Sequence, residues 1–426
     1  MSITSLPTEL IESIAHHLDV ATSQSLRLVS STFEQQSLHV FRDRFFRARI
    51  LQWTKASFDK LLDITAHPTF GKALRWLHID ATPRHAIALW QLRKRISEAE
   101  VISNDPNGIL FRSEMQEQYI ADEKVAQNQT TFFNETRYDQ KCLRSVFEKL
   151  GQLDGLTFAY EGMDKKYGKF GRRYCESSQH EMSRPFVSTM AAIAASGVRI
   201  KTIKMHPTLT HGAVGIGRLE SLAPSLRKFD IAFEHLNTLE LELRDWRHLD
   251  TGFELETTRA PFVVRFLAKA RNLRHLSLGC YSSFDDDLLG DMARHCTFAR
   301  LETCTLKYFR PHDAFDLFLF LKPSNSTLRA LSLQHICLRG HGVVWWDVFA
   351  QMISSPDMLP NLETLHLFKL WARSGVRSWQ NESLGTPGNK QLWKDELFWY
   401  EVDVDERAGP PWHLASVAYP FIGMRT

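Results

Sequence analysis

The chain is poor in cysteine, and its few thiols are scattered. Its 426 residues include six cysteines, and no two of them form a C-x-x-C pair. Zinc ribbons need such pairs, and small secreted domains need a dense disulfide framework. The sequence therefore argues against both classes and predicts reduced thiols in an intracellular protein, either cytoplasmic or nuclear.

A long apolar run is also missing. The most apolar stretch, residues 314–321, contains Asp316 and is far shorter than the ~20 residues that a membrane helix requires. The first residues, MSITSLPTEL, do not combine a basic start with an apolar run, as a secretory signal would. We therefore expect a protein that does not bind membranes.

Neither sign of charge dominates. Lysine and arginine number 52 against 49 aspartates and glutamates, for a formal net charge of +3. A balance this even gives no whole-chain support for nucleic-acid binding. Hydrophobic residues make up 43% of the chain and charged residues 24%, as in ordinary globular proteins. The length exceeds that of a single core, so at least two structural units are expected.

Residues 1–50 carry three short helical patterns. A polar stretch, residues 19–25, separates a first amphipathic helix from a short apolar set at residues 26–29. Ser30 or Ser31 is placed to cap a third helix, and Glu34 would complete a capping box with Ser31. Helices this short bury little surface, so the unit is expected to dock on a partner. The buried stripe of the first helix is predicted at Leu6, Leu10, Ile11, Ile14 and Leu18.

The segment LPTELIESIAHHLD, followed by LRLVSSTF, resembles the F-box. This resemblance implies that residues 1–50 bind a Skp-type adaptor and, through it, a cullin scaffold of an SCF-type ubiquitin ligase. It assigns Ile14 and Leu18 mainly to holding the helices together. The adaptor-binding residues that it implies are Leu6, Pro7, Leu10, Val29, Ser30 and Phe33.

Beyond residue 50, the pattern apolar-x-x-apolar-x-apolar returns repeatedly. Its alternating end predicts a short strand with one buried face, and helical patterns between copies occur at residues 261–270, 285–292 and 348–353. Because no such unit can bury its apolar face alone, the copies are expected to stack as one curved parallel sheet in sequential order, with helices outside. The copies lie at residues 74–79, 153–158, 200–205, 236–241, 273–278, 301–306, 328–333 and 362–367.

These copies resemble leucine-rich repeats, with one departure. The position that holds Asn or Cys in regular repeats, three residues past the last apolar residue of the motif, holds other residue types here. The resemblance therefore implies an irregular solenoid. The predicted fold class is α/β, with a three-helix F-box at residues 1–50 and a leucine-rich-repeat-like solenoid at residues 51–370. The substituted ladder positions are Arg244, Tyr281, Phe309, Ile336 and Leu370.

Three stretches interrupt the repeat. Residues 97–140 are predicted as a polar insertion, part helix and part loop, and residues 164–183 as a basic mobile loop. Residues 371–426 form a tryptophan-rich tail that is expected to cap the last repeat. Tryptophan is also enriched in binding hot spots. The proposed substrate-binding rings are Trp345, Trp346, Trp393 and Trp399.

No catalytic constellation stands out. The pair Ser57 and Lys60 lacks companion motifs, and His206 and His211 lack a metal-like third ligand. The acids at residues 285–287 are better explained as helix caps than as a cation site. We therefore expect a non-enzymatic substrate adaptor without cofactor or metal. The alternative is a leucine-rich interaction scaffold that acts outside any ubiquitin ligase.

Overall fold

A computed structural model describes residues 6–102, 106–160, 176–206, 214–244, 261–281, 287–313, 315–338, 358–373 and 397–402. The chain divides into two compact units, residues 1–207 and 208–426. Both contain helices and parallel strands, so the α/β class is confirmed. In the described part of the chain, no helix is both long and apolar enough to cross a bilayer.

The first unit begins with three helices and continues as alternating strands and helices. Its helices are α1 (Thr8–His17), α2 (Val20–Val29), α3 (Ser31–Phe46), α4 (Lys55–Ala66), α5 (Arg84–Ile102), α6 (Pro106–Thr136), α7 (Tyr138–Leu150) and α8 (Glu176–Ser196). Its strands are β1 (Ala48–Gln52), β2 (Trp76–Asp80), β3 (Gln152–Leu153), β4 (Gly155–Ala159), β5 (Arg199–Ile200) and β6 (Thr202–His206).

The strands of the first unit run parallel. Strand β1 pairs with β2, β2 with β4, and β4 with β6, which is the sequential order that the motif predicts. Two motif copies are split, however, because their first apolar residues belong to a separate two-stranded sheet. Leu153 in β3 pairs with Ile200 in β5, and the rest of each copy joins the larger sheet as β4 and β6.

The second unit contains the regular part of the repeat. Strands β8, β9, β10, β11 and β13 pair in that order, all parallel, as predicted. The short strands β7 and β12 pair with β8 and β13. The strands are β7 (Val214–Gly215), β8 (Thr238–Arg244), β9 (His275–Tyr281), β10 (Thr303–Lys307), β11 (Ala330–Gln334), β12 (Cys337–Leu338), β13 (Thr364–Arg373) and β14 (Leu397–Val402). The helices are α9 (Ile216–Leu219), α10 (Phe229–Ala232), α11 (Phe262–Leu267), α12 (Leu288–His295) and α13 (Phe315–Leu321).

Seven of the eight motif copies bury all three of their apolar residues, and in the last copy Leu365 is half-buried. In the copy that ends in β9, Leu273 lies two residues before the strand, and Leu276 and Leu278 lie within it; all three are buried. The alternate residues His275 and Ser277 are half-buried on the opposite, open face. The observed strands therefore begin about two residues later than the predicted ones, because the first leucine of the motif packs beneath the turn that precedes the strand.

Two of the predicted helices can be compared with the structure. Pro261 is the N-cap of α11, which is shorter than predicted. Asp287 caps α12 by accepting a hydrogen bond from the backbone N–H of Gly290 at 3.0 Å. The capping role predicted for the acids is thus confirmed at Asp287. Residues 285 and 286, and the helix predicted at 348–353, lie outside the described residues.

The three interruptions differ from their predictions. The polar insertion is almost wholly helical, since α5, α6 and α7 run through it, and Pro106 begins α6, where a missing N–H is tolerated. Residues 176–183 of the predicted basic loop are the start of α8, and residues 164–175 lie outside the described part of the chain. Strand β13 extends to Arg373, and β14 pairs with it antiparallel, so the tail contributes a strand instead of starting where the sheet ends.

Described cysteines are free, and most are buried. Burial raises the pKa of the Cys296 thiol to about 12, and that of Cys304 to about 12. A thiol with so high a pKa is a poor nucleophile. These residues therefore act as small core side chains.

Candidate adaptor-binding surface

Helix α1 packs on α3 through a narrow stripe. Ile11 and Ala15, one turn apart, are its buried residues. Leu10 and Ile14, each one position earlier, form a parallel stripe that is exposed. The prediction of one broad buried stripe was therefore wrong for Leu10 and Ile14, because a helix of ten residues contacts its neighbour along a single edge.

Helix α2 buries a small polar residue and exposes its large apolar ones. Ser23 is its buried residue, and Leu26 and Arg27 on the same side are half-buried. At 100° per residue, Leu28 and Val29 lie about 140° and 120° from Ser23 around the helix axis. Both side chains are consequently exposed.

Helix α3 is the base on which the other two rest. Ser30 caps it by accepting a hydrogen bond from the backbone N–H of Phe33 at 3.2 Å. Of the two predicted caps, Ser30 is therefore the one used. Glu34 accepts a hydrogen bond from Arg27 Nη2 at 3.2 Å, so the predicted capping box with Ser31 does not form.

Phe33 is 1% exposed, which bears on its predicted role. The resemblance places this ring among the adaptor-binding residues. In the structure it lies in the core of the three helices, where Val40 and Phe41 are also buried. Phe33 thus supports the helices from inside instead of presenting its ring at the surface.

Arg44 fastens the end of α1 to α3. Its Nη1 donates to the carbonyl oxygens of Ala15 at 2.6 Å and Leu18 at 2.8 Å, both at the C-terminal end of α1. Glu12 and His39 add a second, weaker link between α1 and α3 at 3.9 Å.

The three helices are joined to the first strands by stacked side chains. The Arg27 guanidinium lies 4.2 Å above the ring of Phe41. Phe46, at the end of α3, stacks on Phe70 with centroids 4.2 Å apart. The Arg49 guanidinium in β1 lies 4.5 Å from the centroid of the Phe46 ring. Cation–π and stacked contacts of this kind fix the relative orientation of the side chains and also bury apolar area. The helices are therefore anchored to the rest of the first unit.

What remains outside this packing is a group of exposed apolar side chains on α1 and α2, here called the exposed apolar set. Single exposed apolar residues are ordinary on protein surfaces, whereas several on two short consecutive helices are typical of an interaction site. The set consists of Leu10 (51% exposed), Ile14 (41%), Val20 (47%), Leu28 (87%) and Val29 (68%).

Apart from Phe33, the predicted adaptor-binding residues are exposed or half-buried. Leu10 and Val29 belong to the exposed apolar set, and Pro7 is exposed as the N-cap of α1. Leu6 and Ser30 are half-buried. Trp399 lies in β14, opposite Trp371 of β13, whereas Trp345, Trp346 and Trp393 lie outside the described residues.

Sequence reasoning missed Leu28 and Val20 as surface residues. The helical positions of α2 carry the information, but only once Ser23 is known to face inward. In α2 a serine is buried while leucine and valine side chains are exposed, which is the reverse of the usual distribution. An apolar stripe alone therefore cannot locate this surface.

Metal-ligating residue types do not gather in the described part of the chain. Among described residues, no group of three or more histidines, cysteines and acids could hold a metal ion. Ser57 Oγ accepts a hydrogen bond from the backbone N–H of Gln52 at 3.1 Å, which gives it a role in the turn after β1. Scans of the chain found no matching protein-family model and no similar curated protein.

Proposed function

We propose that this chain is the substrate-recognition subunit of an SCF-type cullin ubiquitin ligase. In this proposal residues 1–50 are an F-box that binds a Skp-type adaptor, and the repeating strands form an irregular leucine-rich solenoid that holds a protein substrate. The exposed apolar set is the observation that carries the proposal, together with the F-box resemblance of the same residues.

The physical argument concerns what these helices leave uncovered. Two ten-residue helices that expose five large apolar side chains keep apolar area in water, and each Å² costs about 25 cal/mol. Burying Leu28 and Val29 against an apolar groove of a partner recovers that free energy. The links through Arg44 and Arg27 hold α1 and α2 on α3, so little ordering is required on binding.

The proposed protein performs no chemistry of its own. It supplies proximity, since it would hold substrate lysines close to the ubiquitin-loading machinery and raise their effective concentration. The strands beyond residue 207 offer further surface to a substrate, and these residues are far from the adaptor-binding helices in sequence.

Replacing Leu6 and Pro7 together with alanine tests the adaptor contact at the start of α1. We expect clearly reduced recovery of a purified Skp-type adaptor in a pull-down, because truncating apolar anchors at an interface typically costs ~1–4 kcal/mol each. The far-ultraviolet circular dichroism and the melting temperature serve as folding controls. Undiminished recovery of the adaptor by the folded double variant would contradict the F-box assignment.

A further inference from the structure

Two aromatic rings lie on the open face of the sheet in the first unit. Strand β2 buries Leu77 and Ile79 in the core. Trp76 and His78 alternate with them and therefore lie on the opposite face, where both are half-buried. The two ring planes are 14° apart and their centroids are 6.5 Å apart, a separation close to that of alternate residues on one strand.

Gly155 makes room for the indole. It pairs with Trp76 in the register of β4 with β2, and a Cβ at this position would overlap three consecutive atoms of the six-membered ring, Cε3, Cζ3 and Cη2. A ring that meets the Cα–Cβ direction with several neighbouring atoms lies flat across the strand. One face of the indole therefore covers the Gly155 backbone and the other is turned away from the sheet. Because the imidazole plane is nearly parallel to it, His78 lies flat beside it.

The neighbours of the two rings across the sheet are small or apolar. The register gives each ring one neighbour on β1 and one on β4. Ile50, beside His78 on β1, is 74% exposed. Within the described part of the chain, the nitrogens of the two rings have no hydrogen-bond partner. This surface, here called the aromatic floor, consists of Ala48, Ile50, Trp76, His78, Gly155 and Thr157.

The charges around the aromatic floor favour an uncharged ligand. The floor contains no carboxylate that could attract a cation. Asp80, the next residue on the same face of β2, is already held by Arg84. Lys204 of β6 lies beside Thr157 in the sheet register, and its ammonium group would repel a second cation. An aromatic side chain without charge can stack on the indole and the imidazole with no ionic group to desolvate.

We propose that the aromatic floor binds an extended peptide segment through an uncharged aromatic side chain laid flat on Trp76. Stacked rings attract each other beyond the apolar area that they bury, and Ile50 offers apolar surface beside them. The hydroxyl of Thr157 and the imidazole of His78 can hydrogen-bond to peptide groups. The inference rests on the proposed function only in naming the segment's source, which would be the ubiquitination substrate.

Selection from a library of random 12-residue peptides displayed on phage, against the full-length protein, tests this site. A parallel selection against the Trp76→Ala variant removes peptides that bind elsewhere. We expect tryptophan, tyrosine and phenylalanine to be enriched only in the first selection. The most enriched peptide, made synthetically with a fluorophore, should lose about tenfold in affinity on Trp76→Ala. Replacing its anchoring ring with leucine or arginine should weaken binding to the wild-type protein to a similar degree.

Gly155→Ala separates a flat platform from a ring that is merely apolar. The added Cβ displaces the indole and leaves every aromatic side chain in place, so we expect a loss of affinity about as large as for Trp76→Ala. Ile50→Ser changes an exposed residue, which seldom affects folding, and should cost about threefold. If either of the first two variants fails to fold, Ile50→Ser decides the test. Ile120→Ser, at an exposed position of α6, is the control and should bind normally.

Two results would overturn the proposal directly, namely equal aromatic enrichment in the two selections or unchanged affinity in the folded variants. A peptide that binds as well with arginine in place of its ring would identify a cation site and would overturn it too. Binding of a purified Skp-type adaptor is measured separately on the same proteins. Peptide binding without adaptor binding would contradict the proposed function and leave the aromatic floor intact.

Discussion

Replacing Leu28 and Val29 together with aspartate is expected to lower the affinity for a Skp-type adaptor at least ~100-fold, because buried apolar anchors of this kind cost ~2 kcal/mol or more when lost. The two residues are the most exposed members of the exposed apolar set, at 87% and 68%. Two carboxylates in an apolar groove add the penalty of burying charge. Isothermal titration with purified adaptor measures the change.

The same substitution should leave the protein folded. Leu28 and Val29 lie on the side of α2 away from buried Ser23, and substitutions at exposed positions usually change stability by about 0.5 kcal/mol or less. Ile120→Asp is the matched control, since Ile120 is an apolar residue 64% exposed on α6. It should bind the adaptor normally. Equal loss in both variants would indicate a general effect of added charge and would contradict a specific surface on α2.

Gly279→Ala is expected to destabilise the second unit by about 3 kcal/mol, the lower end of the cost of breaking a buried ion pair. Gly279 lies between Glu242 of β8 and Lys307 of β10 in the sheet register. A Cβ there would overlap Glu242 Oε2. The Glu242 carboxylate would have to move away from Lys307. That movement is costly because both side chains are largely buried: Glu242 is 2% exposed and Lys307 is 14% exposed. Thermal or urea unfolding measures the loss.

A double-mutant comparison isolates the cause. In a Glu242→Ala, Lys307→Met background, no carboxylate remains for the new Cβ to displace. Gly279→Ala should then cost little, and the difference between the two backgrounds gives the coupling free energy. An equal cost in both backgrounds would show that the glycine matters for its backbone and not for the ion pair above it.

The repeating motif predicted the strands well because it describes burial directly. Leu273, Leu276 and Leu278 share one core, and no long-range information is needed to expect that. The parallel, sequential pairing followed from the same pattern. The strand starts were placed about two residues early, since the motif does not show that its first leucine packs beneath a turn.

The N-terminal surface could be predicted only in part. Its helices and the cap at Ser30 followed from local chemistry. Which side of each helix faces α3 did not, because Ser23 and Ala15 are buried where larger apolar residues stay outside. The side chain of Arg44 contacts carbonyls 26 and 29 residues earlier, and no local pattern contains that contact.

Two backbone features of the second unit, the position of Gly279 next to an ion pair and the positive φ of Tyr308, could not be predicted from the sequence. Tyr308 carries no local sign of a left-handed backbone. Gly279 is one glycine within an apolar strand pattern. Its role depends on the register that places it between Glu242 and Lys307, which is a property of three strands together.

Affinity purification of the full-length protein from cells, followed by mass spectrometry, tests the central claim most directly. The account predicts that a Skp-type adaptor and a cullin are recovered together with the wild-type protein, and that both are lost with the Leu28→Asp, Val29→Asp variant. Recovery of the adaptor without any cullin would support a scaffold outside the ligase. Recovery of neither by the wild-type protein would contradict the proposed function.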